Sequence, residues 1–154
     1  MNRQDVLIKS DDRGLYDIQI DGADFASAYG FESTIPVSYF TDARASAAQV
    51  EEADRRRGWV GNILYVDEAR QLGGLLWLLD QARVTDDTIN FGKSYAQGSL
   101  QWMIDDGLAR SIEINVERDG RRSIQIETDI TTVDNTVQRY VTLWRATDLS
   151  RILQ

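Results

Sequence analysis

A chain of 154 residues is long enough to fold as one domain around a sizeable core. Its 25 Asp and Glu outnumber its 17 Lys and Arg, and the resulting net charge of −8 disfavours the broad phosphate-neutralising surface that nucleic-acid binding needs. With no Cys and no His there is no disulfide, thiolate, imidazole base or histidine metal ligand, so a catalytic reading has to run through carboxylates, Lys, Tyr or Ser.

In chain order, Met1-Asn2-Arg3-Gln4-Asp5 leads into no apolar stretch of signal-peptide length, and the longest apolar run, Leu75–Leu79, is far shorter than a membrane span. The expectation is a protein made in a reducing cytoplasm, or carried out of it in an assembly, with no membrane partner. Val6 and Ile8, then Tyr16, Ile18 and Ile20, alternate with polar residues and predict two short strands joined by an Asp11-Asp12-Arg13-Gly14 turn. Ser33 or Thr34 followed by Pro36 in a first turn, then Ala43, Ala45, Ala47 and Ala48, predicts a helix over about 34–48. Residues 46–57 carry almost no large apolar side chain and read as a solvated helix end or mobile loop.

Gly58, Gly61, Gly73 and Gly74 bracket a tightly turning loop. The Leu75-Leu76-Trp77-Leu78-Leu79 run, apolar on nearly all sides, predicts a central helix over 72–83. Thr85 with Asp86 and Asp87 is a helix start, and Gly107 a stop. The helix predicted over 86–106 puts Ile89, Gly92, Ala96, Ser99, Leu100 and Met103 on one face and Phe91, Tyr95 and Trp102 on an aromatic stripe.

Beyond Gly107 the period changes to two. Ile112, Ile114 and Val116, then Ile124 and Ile126, predict a hairpin with strands 110–117 and 121–130. For these even-numbered residues to share a face, paired positions must have the same parity. That favours a three-residue Arg118-Asp119-Gly120 loop pairing 117 with 121, with Gly120 at positive φ. A third strand over 136–146 carries apolar weight on both faces, through Val137, Val141 and Leu143 and through Tyr140, Thr142 and Trp144; it is expected inside the sheet or at an interface. The fold class is α+β, a single domain over 1–154.

Adjacent carboxylates at Asp11/Asp12, Glu51/Glu52, Asp86/Asp87 and Asp105/Asp106 read as caps and solvated faces rather than an acid/base pair across a cleft. The Gly-containing stretches lack the Lys-Ser/Thr pair of a phosphate loop, and no metal-ligand spacing is present; neither cofactor nor metal is expected. Arg55-Arg56-Arg57 beside Trp59 could stack a guanidinium on the indole or form a surface turn, and an exposed, ordered Trp59 would favour a binding role. Trp, Tyr and Arg are common interface anchors, which makes Arg57, Trp59, Tyr140 and Trp144 the interface candidates.

Arg57-Gly58-Trp59-Val60-Gly61, Leu75–Leu79, the Tyr95 to Gly107 stretch containing Leu100-Gln101-Trp102, and the hairpin after it resemble a known family, the Mu-type baseplate proteins of contractile-tailed bacteriophages. That family is related to the lysozyme-like wedge subunit of larger contractile tails. Tyr39-Phe40-Thr41-Asp42-Ala43-Arg44-Ala45 resembles its N-terminal helix, and the likeness covers roughly residues 15–148. The chain departs from the family pattern at Val60, where a second Trp is usual, and at Gly73-Gly74, where Gly followed by Ser is common. The resemblance implies a structural, non-enzymatic subunit of the virion's tail baseplate, made in the host bacterial cytoplasm and present in several copies of a symmetric assembly. The implied partners are other wedge proteins, the tail hub and the first sheath ring, with the C-terminal sheet available for edge-to-edge pairing. The rival readings are a carboxylate-dependent muramidase and a cytoplasmic binding module.

Overall fold

The two N-terminal alternations do not become two strands. The computed structural model describes residues 5–11, 15–28, 30–64, 71–80 and 83–146. Within it the first segment breaks into six short strands: β1 (Asp5–Val6), β2 (Ile8–Ser10), β3 (Tyr16–Ile18), β4 (Ile20–Asp21), β5 (Asp24–Phe25) and β6 (Ser27–Ala28). They pair antiparallel as β1 with β6, β2 with β3 and β4 with β5. The partner changes at Leu7, Gln19 and Ala26, which close a ring of backbone hydrogen bonds. Leu7 N donates to Ala26 O (2.8 Å), Ala26 N to Gln19 O (2.9 Å) and Gln19 N to Leu7 O (2.9 Å). Three two-stranded arms therefore meet at one node instead of forming a continuous sheet. Asp11 N donates to Leu15 O across the β2–β3 turn, whose residues 12–14 lie outside the described residues.

The expected helix over 34–48 ends early. α1 spans Thr34–Phe40, and Thr41 is already extended because Asp42 forms a parallel bridge with Gly74. Ala43 N donates to Gly74 O and Ala45 N to Arg56 O, so tertiary pairing overrides the helix preference of the alanines. Ser33 takes the N-cap position without capping; its hydroxyl donates to Val6 O and accepts from Ile8 N, tying the three-armed unit to the helix.

The segment 46–57 is an exposed loop with one 3-10 turn at Ala53–Arg55, closed by the guanidinium of Arg56 on the carbonyls of Val50 and Glu51. α2 (Gly61–Leu64) follows. The predicted 72–83 helix is also corrected: only Leu76–Leu79 winds, as a 3-10 turn, and residues 81–82 lie outside the described residues. The preceding glycines are committed to the Asp42 bridge, and the Trp77 indole donates to Ala43 O (2.9 Å), which fixes the turn against an extended strand segment.

α3 (Asp86–Asp105) matches its reading, with the Thr85 hydroxyl accepting from Thr88 N and Asp86 and Asp87 in the first turn. Its buried face is Thr88, Gly92, Ala96, Ser99, Leu100 and Met103. A β-carbon on Gly92 would lie 2.9 Å from Ile124 Cδ1, so this glycine sets how closely the helix approaches the sheet.

β7 (Ala109–Arg118), β8 (Ser123–Thr132) and β9 (Val137–Arg145) form an antiparallel sheet ordered β7-β8-β9. The parity argument holds and Gly120 has φ +106°, but the expected 117–121 pairing is wrong, because the partner of Glu117 lies four residues further along β8. Glu117 pairs with Gln125 and Arg118 with Ile124, while Asp119 N donates to Ser123 O, leaving Gly120, Arg121 and Arg122 in the loop. The carbonyls of Arg121 and Arg122 accept from Val84 N and Ala146 N, which holds the turn at this position; an even slip leaves every side chain on its face. β8 is the central strand, with Ile124, Ile126, Thr128 and Ile130 fully buried, so the two-faced β9 lies at an edge rather than inside.

α1, α3 and the Leu76–Leu79 turn cover one face of the sheet and enclose a core that includes Ile35, Tyr39, Leu100 and Met103. The Tyr39 hydroxyl reaches Thr128 Oγ1 at 2.7 Å inside it. The other face is polar along β7 and β8, with Glu113, Glu117 and Glu127 and an Arg139–Asp129 cross-strand pair, while β9 adds the exposed Val137 and Val141.

Candidate assembly interface

Arg57 organises the loops at one end of the domain. It sits in the left-handed region at φ +46°, a conformation costly for a residue with a β-carbon, and its half-exposed side chain is held by two carboxylates and an indole. One guanidinium nitrogen lies 3.1 Å from Asp80 Oδ2 and 3.4 Å from Asp42 Oδ2, while the guanidinium carbon stands 4.8 Å from the centre of the Trp77 ring. The Arg57 carbonyl accepts from Arg44, whose other guanidinium nitrogen reaches Ala53 O. Burial raises the Asp80 carboxyl above the usual carboxylate range, and the Arg57 charge and hydrogen bond offset that rise. Of the two alternatives left open for the arginine run, an arginine does stack on an indole, but on that of Trp77 rather than of Trp59.

Trp59 serves the next turn. Its backbone N donates to Asp42 O, and its indole lies against Gly61 so closely that a β-carbon there would sit 2.1 Å from the ring. The Asn62 side chain then donates to Leu72 O and accepts from Leu72 N, stapling α2 to the residue two before Gly74. Held this way, Trp59 is 41% exposed, and Val60, Ile63 (78%) and Leu64 (75%) project from the same turn. An ordered, exposed Trp59 meets the condition set by its sequence for a binding role. Ile63 and Leu64 were not singled out by the sequence; two large aliphatics directly after a Gly-Asn pair were the available signal.

The other two candidates lie elsewhere. Trp144 is 4% exposed, paired across the sheet with Ile124, and its edge lines a cleft with Arg57, Trp77, Asp80, Tyr39 and Phe40. Tyr140 is half-buried; its hydroxyl accepts from Phe31 N and donates to Gln138 Oε1, anchoring the chain entering α1 to β9. Burial pushes its phenol above the ordinary range. Arg57 and Trp144 thus share a cleft, Trp59 flanks it through Asp42, and Tyr140 stands apart.

The carboxylates of that cleft are Asp42 and Asp80, both engaged by Arg57, and none of the sequence-adjacent acidic pairs lines it. Among the described residues no group of three or more acidic side chains is placed to hold a metal ion. Among the described residues no helix is long and apolar enough to cross a membrane.

The profile of a family described as Phage protein GP46 matches residues 31–137, from the entry to α1 as far as the start of β9. The chain is 34% identical over 114 residues to the baseplate protein gp46 of Escherichia phage Mu, covering 73% of this chain and 75% of that protein. It is 32% identical over 82 residues to the Mu-like prophage FluMu protein gp46 of Haemophilus influenzae, covering 53% of each.

Proposed function

The chain belongs to the Phage protein GP46 family, and on that premise we propose that it is a structural, non-enzymatic subunit of the baseplate of a contractile phage tail or tail-like injection particle. The observation that carries the reading is the likeness over most of both chains to a phage Mu protein named for the baseplate. The fold is suited to assembly. Its apolar side chains at Trp59, Val60, Ile63 and Leu64 are presented on a turn locked by Gly61 and the Asn62–Leu72 staple, so little ordering entropy is lost when they are covered.

The finer partners we propose are other wedge proteins, the tail hub and the first sheath ring, in several copies per particle and within the virion tail. β7 supports this reading: it is ten residues long, contains no proline, and among the described residues pairs only with β8. Its outer side is a template on which an extended segment of a neighbour can add a strand. Arg57 and Trp59 would anchor a second contact, with Trp144 behind them as a support, while Tyr140 holds the entry to α1 elsewhere on β9.

The test is affinity purification of the tagged chain from cells expressing the complete tail gene cluster, followed by electron microscopy. Recovery in a baseplate-bearing particle is the expected result. A lone monomer from cells that do make particles would overturn the proposal, and a cell-wall degradation assay with Asp42→Asn and Asp80→Asn would then address the muramidase alternative.

A further inference from the structure

An apolar groove runs between the three-armed N-terminal unit and the helices, walled by Val6, Ile18, Phe25, Val37, Leu72 and Trp102. Its outer rim is continuous with exposed side chains: Phe25 is more than half exposed, and its cross-strand neighbour Ile20 still more so. The groove has an unusual frame. Val6, Ile18 and Phe25 come from three different strands, and each is preceded by an aspartate whose carboxylate accepts the amide of that wall residue. Asp5 lines the groove itself, and Asp17 and Asp24 each stand one position along the strand from a wall residue, Asp17 opposite Lys9 of β2. Residues 15–28 add Asp21 and contain no Lys or Arg.

We propose that this groove docks a basic amphipathic segment of a neighbouring, different protein in the baseplate, one whose apolar anchors are flanked by Lys or Arg. The apolar wall supplies the burial, and the aspartates select for cations and oppose the approach of acidic chains. A second copy is disfavoured as the occupant, because this chain carries −8 overall and its own exposed apolar turn at 59–64 follows a 51–57 stretch with three acids for its three arginines. The inference rests on the baseplate reading and names a partner class for a surface that reading does not use.

The experiment replaces Phe25 with the photo-crosslinking residue benzoylphenylalanine (Phe25→benzoylphenylalanine) in cells expressing the tail gene cluster. The particles are irradiated and the joined peptide is identified by mass spectrometry. The expected product is a peptide of another chain with Lys or Arg within about one helical turn of the attachment site. Asp5→Asn, Asp17→Asn and Asp24→Asn together are expected to lower the yield several-fold while leaving the circular dichroism of the isolated chain unchanged. A peptide from a second copy, a peptide without basic residues, an unchanged yield in the triple variant, or no crosslink in particles that contain the chain would each overturn the proposal. Absence of the unmodified chain from the particles would instead overturn the baseplate reading itself.

Discussion

Gly73→Ala is the most informative single substitution in the fold. Gly73 has φ +117°, a region closed to L-residues, and a β-carbon there would lie 2.5 Å from the Thr41 carbonyl and 2.9 Å from Ala43 N. Neither neighbour is a flexible side-chain tip; both belong to the strand segment that replaces the second half of the expected helix. The conformational fault costs about 2 kcal/mol. Loss of the Gly74 N–Thr41 O and Ala43 N–Gly74 O hydrogen bonds, each near 2.9 Å, adds about 2 kcal/mol more at about 1 each. A destabilisation of about 4 kcal/mol lowers Tm by roughly 8–16 °C for a chain of this size. Gly98→Ala is the matched control: it lies inside α3 with nothing within 4 Å of the added carbon, and should stabilise by about 1 kcal/mol. Urea and thermal unfolding followed by circular dichroism and tryptophan fluorescence measure both. A Gly73→Ala cost below about 1 kcal/mol would refute the reasoning that this glycine forces the chain off its helical path.

Substitutions at Tyr39, Thr85 and Arg57 test the core, the cap of α3 and the Arg57 node. Tyr39→Phe strands the buried Thr128 hydroxyl and should cost about 1–3 kcal/mol in urea unfolding, most of it recovered by adding Thr128→Val. Thr85→Ala should cost about 1 kcal/mol by removing the bond that Thr88 N donates to its side chain. Arg57→Ala should destabilise the domain, and Arg57→Gly by roughly 1 kcal/mol less, since glycine relieves the φ +46° backbone. The pH dependence of the Arg57 variants has a definite sign. Asp80 is raised in the folded state, so its ionisation costs stability; that cost is absent below its unfolded value of 3.8 and full above its folded value. Arg57 offsets the cost only while Asp80 is charged. The deficit of Arg57→Ala should therefore be largest near neutral pH and narrow as the pH falls through the Asp80 titration, which urea midpoints across that range would report.

What could be read from the sequence divides along the distance over which the information acts. α3 was legible because its cap, its acidic first turn and its small-residue face all lie within the helix itself. The sheet was legible because parity forces Ile112, Ile114, Val116, Ile124 and Ile126 onto one face, and a four-residue error in the pairing leaves that face intact. The two other expected helices failed for one shared reason. Residues 41–43 pair with the backbone of Gly74, and no local preference in an Ala-rich or Leu-rich run reports a partner some thirty residues away. The same applies to the candidate interface. Arg57 and Trp59 were singled out by type, but Asp42, Asp80 and Trp77 reach Arg57 only through that long-range pairing.

The hydrogen-bonded ring at Leu7, Gln19 and Ala26 has a practical corollary. Each arm leaves the ring separately, so the reversal at Gly22 and Ala23, closing the Asp21–Asp24 pair, is mechanically remote from the other two arms. A short reporter peptide spliced between Gly22 and Ala23 lengthens one arm and leaves the ring's six backbone partners where they are. A proline at Gln19 or Ala26, by contrast, deletes a donor from the ring and releases all three arms together. The N-terminal unit is therefore a hub that tolerates cargo at a tip and fails as a whole at its centre.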